Sequence, residues 1–234
     1  MRRIVPVWCY IFYLVSSLAL GQVGQPSREK WEFSVFFGSS HRGDNTYVTP
    51  VDSAVRNVVL GFAPGYQVGA RLTENLKQHF GAELEYSLAN QPMVFKDLRP
   101  NLSELNLSLR VHSVVYDVLF YGVGRKARLR PYGVFGGGVS LFQPFGRAKD
   151  DAVAKGVPLK NRWKAGVTVG GGVKYKVKEN LGFRVDVRSY TTPVPDFGIS
   201  DKVVGAPAQA VVFRPDGALH NMQFNVGFFY CFGF

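Results

Sequence analysis

Cysteine is almost missing from these 234 residues: there are two, Cys9 and Cys231. A scaffold stapled by disulfides is thereby excluded. Charge is scarce too, at 19% of residues against 46% hydrophobic, so the chain is neither disordered nor collagen-like. Acidic residues are the scarcer sign, 17 against 28 Lys plus Arg, for a formal charge of +11. Long apolar runs are absent after the N-terminal stretch, which excludes a polytopic helical membrane protein. What is plentiful is Gly, at 26, and aromatics, at 14%, with 19 Phe and 11 Tyr. That pairing favours β-structure over a helix bundle, which wants Ala, Leu and Glu. The length suits one barrel-sized or sandwich-sized domain and is tight for two.

Arg2 and Arg3 precede an uncharged run from Ile4 to Leu20, which closes on Ala19-Leu20-Gly21. A positive start, an apolar middle and small residues before the cut are what signal peptidase reads, so residues 1–21 are expected to be an export signal. An uncleaved anchor helix is the alternative, disfavoured because the run is short and contains Pro6. Cleavage would lower the formal charge to +9, since Arg2 and Arg3 go with it, and would leave Cys231 as the lone cysteine. Residues 22–30 then form a short extension before a single domain, 31–234. No peptidoglycan-binding domain is expected beyond it.

Period-two alternation dominates the rest. At the C-terminus Met222, Phe224, Val226, Phe228, Tyr230, Phe232 and Phe234 take one face. Asn221, Gln223, Asn225, Gly227, Cys231 and Gly233 take the other, with Phe229 an exception among them. The same pattern predicts eight strands, at about 31–39, 57–72, 78–89, 105–121, 130–142, 163–178, 181–191 and 221–234. The faces of 130–142 are undecided because of Gly136-Gly137-Gly138. In 105–121 Leu105, Leu107, Leu109 and Val111 form the apolar set, and a phase slip after Ser113 suggests a β-bulge. Short connections (73–77, 122–129, 179–180) alternate with long ones (40–56, 90–104, 143–162, 192–220). One end is therefore turns and the other loops, which fits an eight-stranded antiparallel up-and-down β-barrel.

Alternation alone does not say which face points inward. The apolar face is bulky nearly everywhere, while the polar face carries most of the glycines, as the narrow lumen of an eight-stranded barrel requires. The polar face also mixes compensating charges: Glu32, Glu83, Glu85 and Asp186 against Arg71, Arg110, Lys164, Lys174, Arg184 and Arg188. Trp31, Phe37, Tyr66, Tyr86, Trp163, Tyr175 and Tyr190 fall near strand ends, where membrane aromatic girdles sit. A transmembrane barrel is favoured over a soluble, lipocalin-like one.

The export signal, Arg130-Pro-Tyr-Gly-Val-Phe-Gly-Gly-Gly-Val, Gly172-Val-Lys-Tyr-Lys-Val and Leu181-Gly-Phe-Arg-Val-Asp-Val-Arg together resemble the small outer-membrane barrels of Gram-negative bacteria, the OmpA/OmpX-type and OmpW-like superfamily. The resemblance implies an outer-membrane location. It also implies a C-terminal signal for the barrel-assembly machinery, carried by Phe228, Tyr230, Phe232 and Phe234. It does not fix a function, because this architecture hosts adhesins, pores and enzymes.

The lumen is expected to hold a charge network of Glu83, Glu85, Arg110, Asp117, Lys174, Arg184, Asp186 and Arg188. A structural plug is the favoured reading and an ion or proton path the other. Catalysis is not expected. His112-Ser113 is the only His-Ser neighbour pair and its side chains point to opposite faces, while the His-x-Ser constellation of lipid A-acting barrel enzymes is missing. The scattered histidines show no metal-ligand spacing, and the triple glycines are not phosphate loops, so no metal or cofactor is implied. Arg147, Lys149, Lys155, Lys160 and Arg162 make the third long loop basic and suited to lipopolysaccharide phosphates or an anionic surface. The apolar fourth loop, 192–220, is expected to extend the barrel as a hairpin, fold over its mouth, or meet a partner, in that order. Nucleic acid is not an expected partner. The function expected is structural or surface-interacting. A small pore for ions or hydrophobic solutes is the alternative, and a lipid A-modifying enzyme the more remote one.

Overall fold

The computed structural model describes residues 30–43, 45–51, 54–99, 102–146, 150, 159–197 and 217–233. The expected export signal and most of the 22–30 extension lie outside them. Ten strand segments are present: β1 (Trp31–Arg42), β2 (Asn45–Val51), β3 (Ala54–Phe62), β4 (Gly65–Glu74), β5 (Phe80–Arg99), β6 (Leu102–Tyr121), β7 (Leu129–Phe145), β8 (Arg162–Lys178), β9 (Leu181–Pro193) and β10 (Ala218–Phe232). Their antiparallel pairing runs β1-β4-β5-β6-β7-β8-β9-β10 and returns to β1, closing a barrel of eight strands. Closure leaves the membrane-spanning wall without an edge, so its backbone groups pair within the sheet.

The first two strands are longer than the alternation suggested. β1 meets β4 in the register Ser40↔Gly65, and β2 meets β3 as Asn45↔Leu60. The two pairings share one register, so β1–β2 and β3–β4 form a single tall hairpin, nicked at Gly43 and at Ala63-Pro64. The expected strand 57–72 is thus broken at Ala63-Pro64. The expected loops 40–56 and 90–104 are largely strand, because β5 and β6 also run for 20 residues each. At about 3.3 Å per residue that is roughly 65 Å, well beyond the ~9–11 residues needed to cross a membrane. Above β7, which starts its pairing with β6 at Ser108↔Phe145, the described residues of the wall are those of these two hairpins. Among the described residues the rim is therefore high on the side of these hairpins.

Burial settles orientation. Phe33, Val35, Phe37, Phe224, Val226 and Phe228 are exposed on the outer surface, while Glu32, Ser34, Arg184, Asp186 and Asn225 are buried inside. On β7 the inward set is Arg130, Tyr132, Val134, Ser140 and Phe142, with Gly136 and Gly138 in the same phase. Tyr190 departs from the expected girdle: it is buried on the lumen side of β9. Trp163, Tyr66 and Tyr175 do face outward.

β6 holds no bulge at Ser113. Its pairing with β5 runs unbroken from Phe80↔Phe120 to Lys96↔Glu104, and every odd residue from Leu107 to Tyr121 points inward. What changes is the environment. Near the loop end the interior becomes largely apolar, with Met93, Leu107, Leu109, Val111 and Phe142 buried around the Arg42–Gln91 pair. Leu159, Val194 and Phe197, on the connections following β7 and β9, are buried as well.

Candidate functional site

The lumen of the membrane-spanning half is filled by ions. The short turn after β4 sets Arg71 opposite Glu85, and their side chains meet at 2.6 Å. Arg71 reaches on across the barrel to both oxygens of Asp186 on β9, at 2.8 and 3.1 Å. Its guanidinium lies 3.9 Å from the centre of the Phe36 ring, an inward aromatic that roofs it from the β1 side. Arg184 donates to Glu83 Oε2 at 2.8 Å and to the Tyr132 hydroxyl at 2.8 Å. Arg188 binds Glu83 at 2.6 Å, Asp117 at 2.7 Å, and Glu85 and Asp186 at 3.0 Å each. Thr73 adds a hydrogen bond to Glu83 at 2.6 Å.

Nearer the turn end, Lys174 pairs with Glu32 at 2.7 Å and donates to Tyr121 Oη at 3.0 Å. Arg130 lies over the Tyr121 ring at 3.3 Å and donates to Asn75 and to the Gln78 carbonyl, sealing that end. Glu32, Glu83, Glu85, Asp117 and Asp186 are thus set against Arg71, Arg130, Lys174, Arg184 and Arg188, all buried. Burial of this many charges is tolerable because Arg71, Lys174, Arg184 and Arg188 pair with acids, and Arg130 is held by Asn75, the Gln78 carbonyl and the Tyr121 ring. Glycines make the room. A side chain on Gly136 would run into the Asp117 carboxylate and the Tyr116 carbonyl.

Above the ions comes a tier of Ser, Thr and amide side chains, in which Ser113 and Ser140 share a hydrogen bond at 2.7 Å. Between the tiers lies a cavity of about 10 Å³ beside Asp117, Thr168 and Arg188. It has space for one water at most. Asp117 Oδ1 and Thr168 Oγ1 have no hydrogen-bond partner among the described residues. The carboxylates of Glu83, Glu85 and Asp117 lie within 4.8 Å of one another, the arrangement a cation would seek. Arg188 already fills that place, since its guanidinium touches all three.

Of the residues singled out from sequence, Glu83, Glu85, Asp117, Lys174, Arg184, Asp186 and Arg188 converge here. Arg110 does not. It lies on the outer face of β6, 4.5 Å from the Phe145 ring centre and hydrogen-bonded to Asn90. Glu32 and Arg71 belong to the plug although only their inward phase had been read. Arg130, Tyr121 and Tyr132 were missed, since they follow from the undecided faces of β7 and the misread end of β6. The cross-strand pair Arg71–Glu85 was readable from the short turn between their strands.

In the basic loop, Arg147, Lys149 and Lys155 lie outside the described residues. Lys160 is exposed, and its backbone N–H donates to Phe197 O. Arg162 is committed to Asp196 at 2.8 Å. Phe228 and Tyr230 face the lipid side, Phe232 is partly covered, and Phe234 lies outside the described residues.

Three histidines mark the outer surface at the loop end. His112 contacts Tyr86 Oη, and His220 contacts Thr191 Oγ1, both at 2.9 Å. His41 Nε2 lies 3.1 Å from Ser39 Oγ, a nucleophile-to-base distance that the chain order Ser39-Ser40-His41 had hidden. Among the described residues no carboxylate or amide is hydrogen-bonded to His41 to orient it. The backbone N–H groups of β1 that would serve an oxyanion are engaged in the sheet.

The structure is similar to the outer-membrane protein OprG from Pseudomonas aeruginosa, at 17% identity and a TM-score of 0.58, covering 86% of this chain and 97% of that one. The likeness is one of fold, a closed antiparallel β-barrel. It is also similar to the outer-membrane protein AlkL in lipid bilayers, at 11% identity and a TM-score of 0.50, covering 91% and 95%. No protein-family model and no curated protein sequence matches the chain.

Proposed function

We propose that this protein is an exported outer-membrane barrel with a closed lumen and a structural or surface-interacting role, performed by its extracellular end. One observation carries the reading: Arg71, Glu83, Arg184 and Arg188 fill the cross-section with side chains that are almost wholly buried. Turns at one end and loops at the other put the turns in the periplasm and the high rim outside. The barrel then offers its partners an asymmetric extracellular wall together with the connections after β7 and β9. The outward belt of Arg110, His112, His41 and His220 sits where the outer leaflet carries its headgroups. With the basic third loop, it suits contact with lipopolysaccharide phosphates. Barrel-assembly machinery is the expected partner for insertion. The reading is non-enzymatic.

Planar-bilayer recording tests the closed lumen: the purified barrel should show no conductance above that of the bare membrane. Deleting 147–158 should abolish surface adhesion while the barrel still inserts, and unchanged adhesion would remove the interaction role. A second reading, passage of hydrophobic solutes, draws on the apolar upper lumen of Met93, Leu107, Leu109, Val111 and Phe142. It predicts uptake by cells expressing the chain, lost on filling that region with charge.

A further inference from the structure

At the opposite end from the loops, a groove of about 1050 Å³ runs beneath β7–β10, between the β6–β7 connection, the β8–β9 turn and the end of β10. Its walls are of two kinds. Lys126, Arg128 and Lys178 are exposed cations there, and Glu179 is the one acid among the described residues of the lining. Val177 and Tyr230 are outward, lipid-facing residues that line the same groove and stand 42% and 50% exposed. The fourth cation of the lining, Lys176, is turned away, its Nζ held by the Arg125 carbonyl at 2.6 Å. The turn is fixed rather than loose: Lys176 N–H donates to Arg128 O at 2.9 Å, and Cys231 N–H to Asn180 O at 2.7 Å. Three cations are thus held along one border of the apolar band, with a greasy wall rising from them.

We propose that this groove binds the headgroup of an anionic phospholipid from the periplasmic leaflet, with phosphate on Lys126, Arg128 and Lys178 and an acyl chain running up past Val177 and Tyr230. The volume accommodates a headgroup of that size. The excess of positive charge selects an anionic lipid over a zwitterionic one. The apolar wall selects a lipid over a free phosphate, because an ion in solution has nothing to lay against Val177 and Tyr230. None of these residues takes part in the lumen network, so the groove can be altered with the plug intact.

The test is native mass spectrometry of the detergent-purified barrel titrated with phosphatidylglycerol, phosphatidylcholine or water-soluble glycerophosphoglycerol. Phosphatidylglycerol should be retained at least tenfold better than either of the others. In the triple variant Lys126→Ala, Arg128→Ala, Lys178→Ala that preference should vanish, while heat-modifiable gel mobility stays as in the unaltered protein. Equal retention of phosphatidylcholine overturns the charge assignment, and equal retention of glycerophosphoglycerol overturns the lipid assignment. An unchanged preference in the triple variant overturns the location. Should the triple variant fail to fold, Lys126→Glu alone serves, with the same readout and at least a threefold loss expected.

Discussion

Arg188 of β9 and Asp117 of β6 meet at 2.7 Å across the lumen, although β7 and β8 stand between their strands in the wall. Arg188 also holds Glu83, Glu85 and Asp186. Replacing Arg188 by Ala leaves those acids facing one another without their shared cation. Loss of one partner from a buried ionic cluster costs about 3–5 kcal/mol. Urea unfolding of the Arg188→Ala protein in detergent micelles should show a destabilisation of that order. A cost under about 1 kcal/mol would mean that the plug does not hold the barrel together.

Glu83 and Arg184 should be energetically coupled. In a double-mutant cycle with Glu83→Ala and Arg184→Ala, the pair should lose less than the two single changes added, by about 0.5–3 kcal/mol. Strict additivity would place the two side chains out of contact.

Two glycines of β7 should respond oppositely. Gly136 faces inward, and a Cβ there comes within 2.7 Å of the Asp117 Cα. Gly133 is in the outward phase, and its Cβ would find nothing nearer than the Gly170 carbonyl at 4.0 Å. Gly136→Val should abolish the heat-modifiable band, and Gly133→Ala should leave it unchanged.

Val226 lies midway along β10 and is 56% exposed on the outer face. Val226→Arg should destabilise the inserted barrel by about 2–4 kcal/mol, as for a cation at the bilayer midplane. Asn225→Ala, one residue away and inward, should act by a different route. It removes contacts to Asp186 and Gln67, at 3.1 and 2.6 Å, and its cost should not depend on bilayer thickness.

Ser39 and His41 bring a nucleophile and a base within 3.1 Å, and among the described residues no carboxylate is hydrogen-bonded to the histidine. Lipid A from cells expressing the chain should have the same mass as lipid A from cells expressing Ser39→Ala. A mass difference would make this contact a catalytic centre and replace the non-enzymatic reading.

The closed wall was legible because strands such as β9 alternate cleanly: Phe183, Val185 and Val187 stay outward, and Arg184, Asp186 and Arg188 stay inward. β6 was misread for a physical reason. Its lower part separates an ionic lumen from lipid, whereas its upper part separates an apolar interior from a polar outer surface. Leu107, Leu109 and Val111 therefore point the same way as Asp117. The hydrophobic pattern reversed while the pairing register did not, so a bulge was inferred and Arg110 was placed inside. The nicks at Gly43 and Ala63-Pro64 had a similar effect, making one tall hairpin read as a strand, a loop and a strand. The plug's aromatic parts, Phe36, Tyr121 and Tyr132, gave no polar signal. What places them is the cation against each ring: Arg71 on Phe36, Arg130 on Tyr121 and Arg184 on Tyr132.

The ions of the lumen are unevenly shared along the chain. Among the described residues of the ionic tier, β1 to β6 supply Glu32, Glu83, Glu85 and Asp117 against Arg71, while Arg42 lies apart above them on Gln91. From β7 to β10 come Arg130, Lys174, Arg184 and Arg188 with only Asp186. Each half is thus a sheet carrying uncancelled charge, and neither is fit to enter a bilayer by itself. Neutrality arrives when the last strands join the first, which ties insertion to completion of the ring and discourages the chain from stalling half-built.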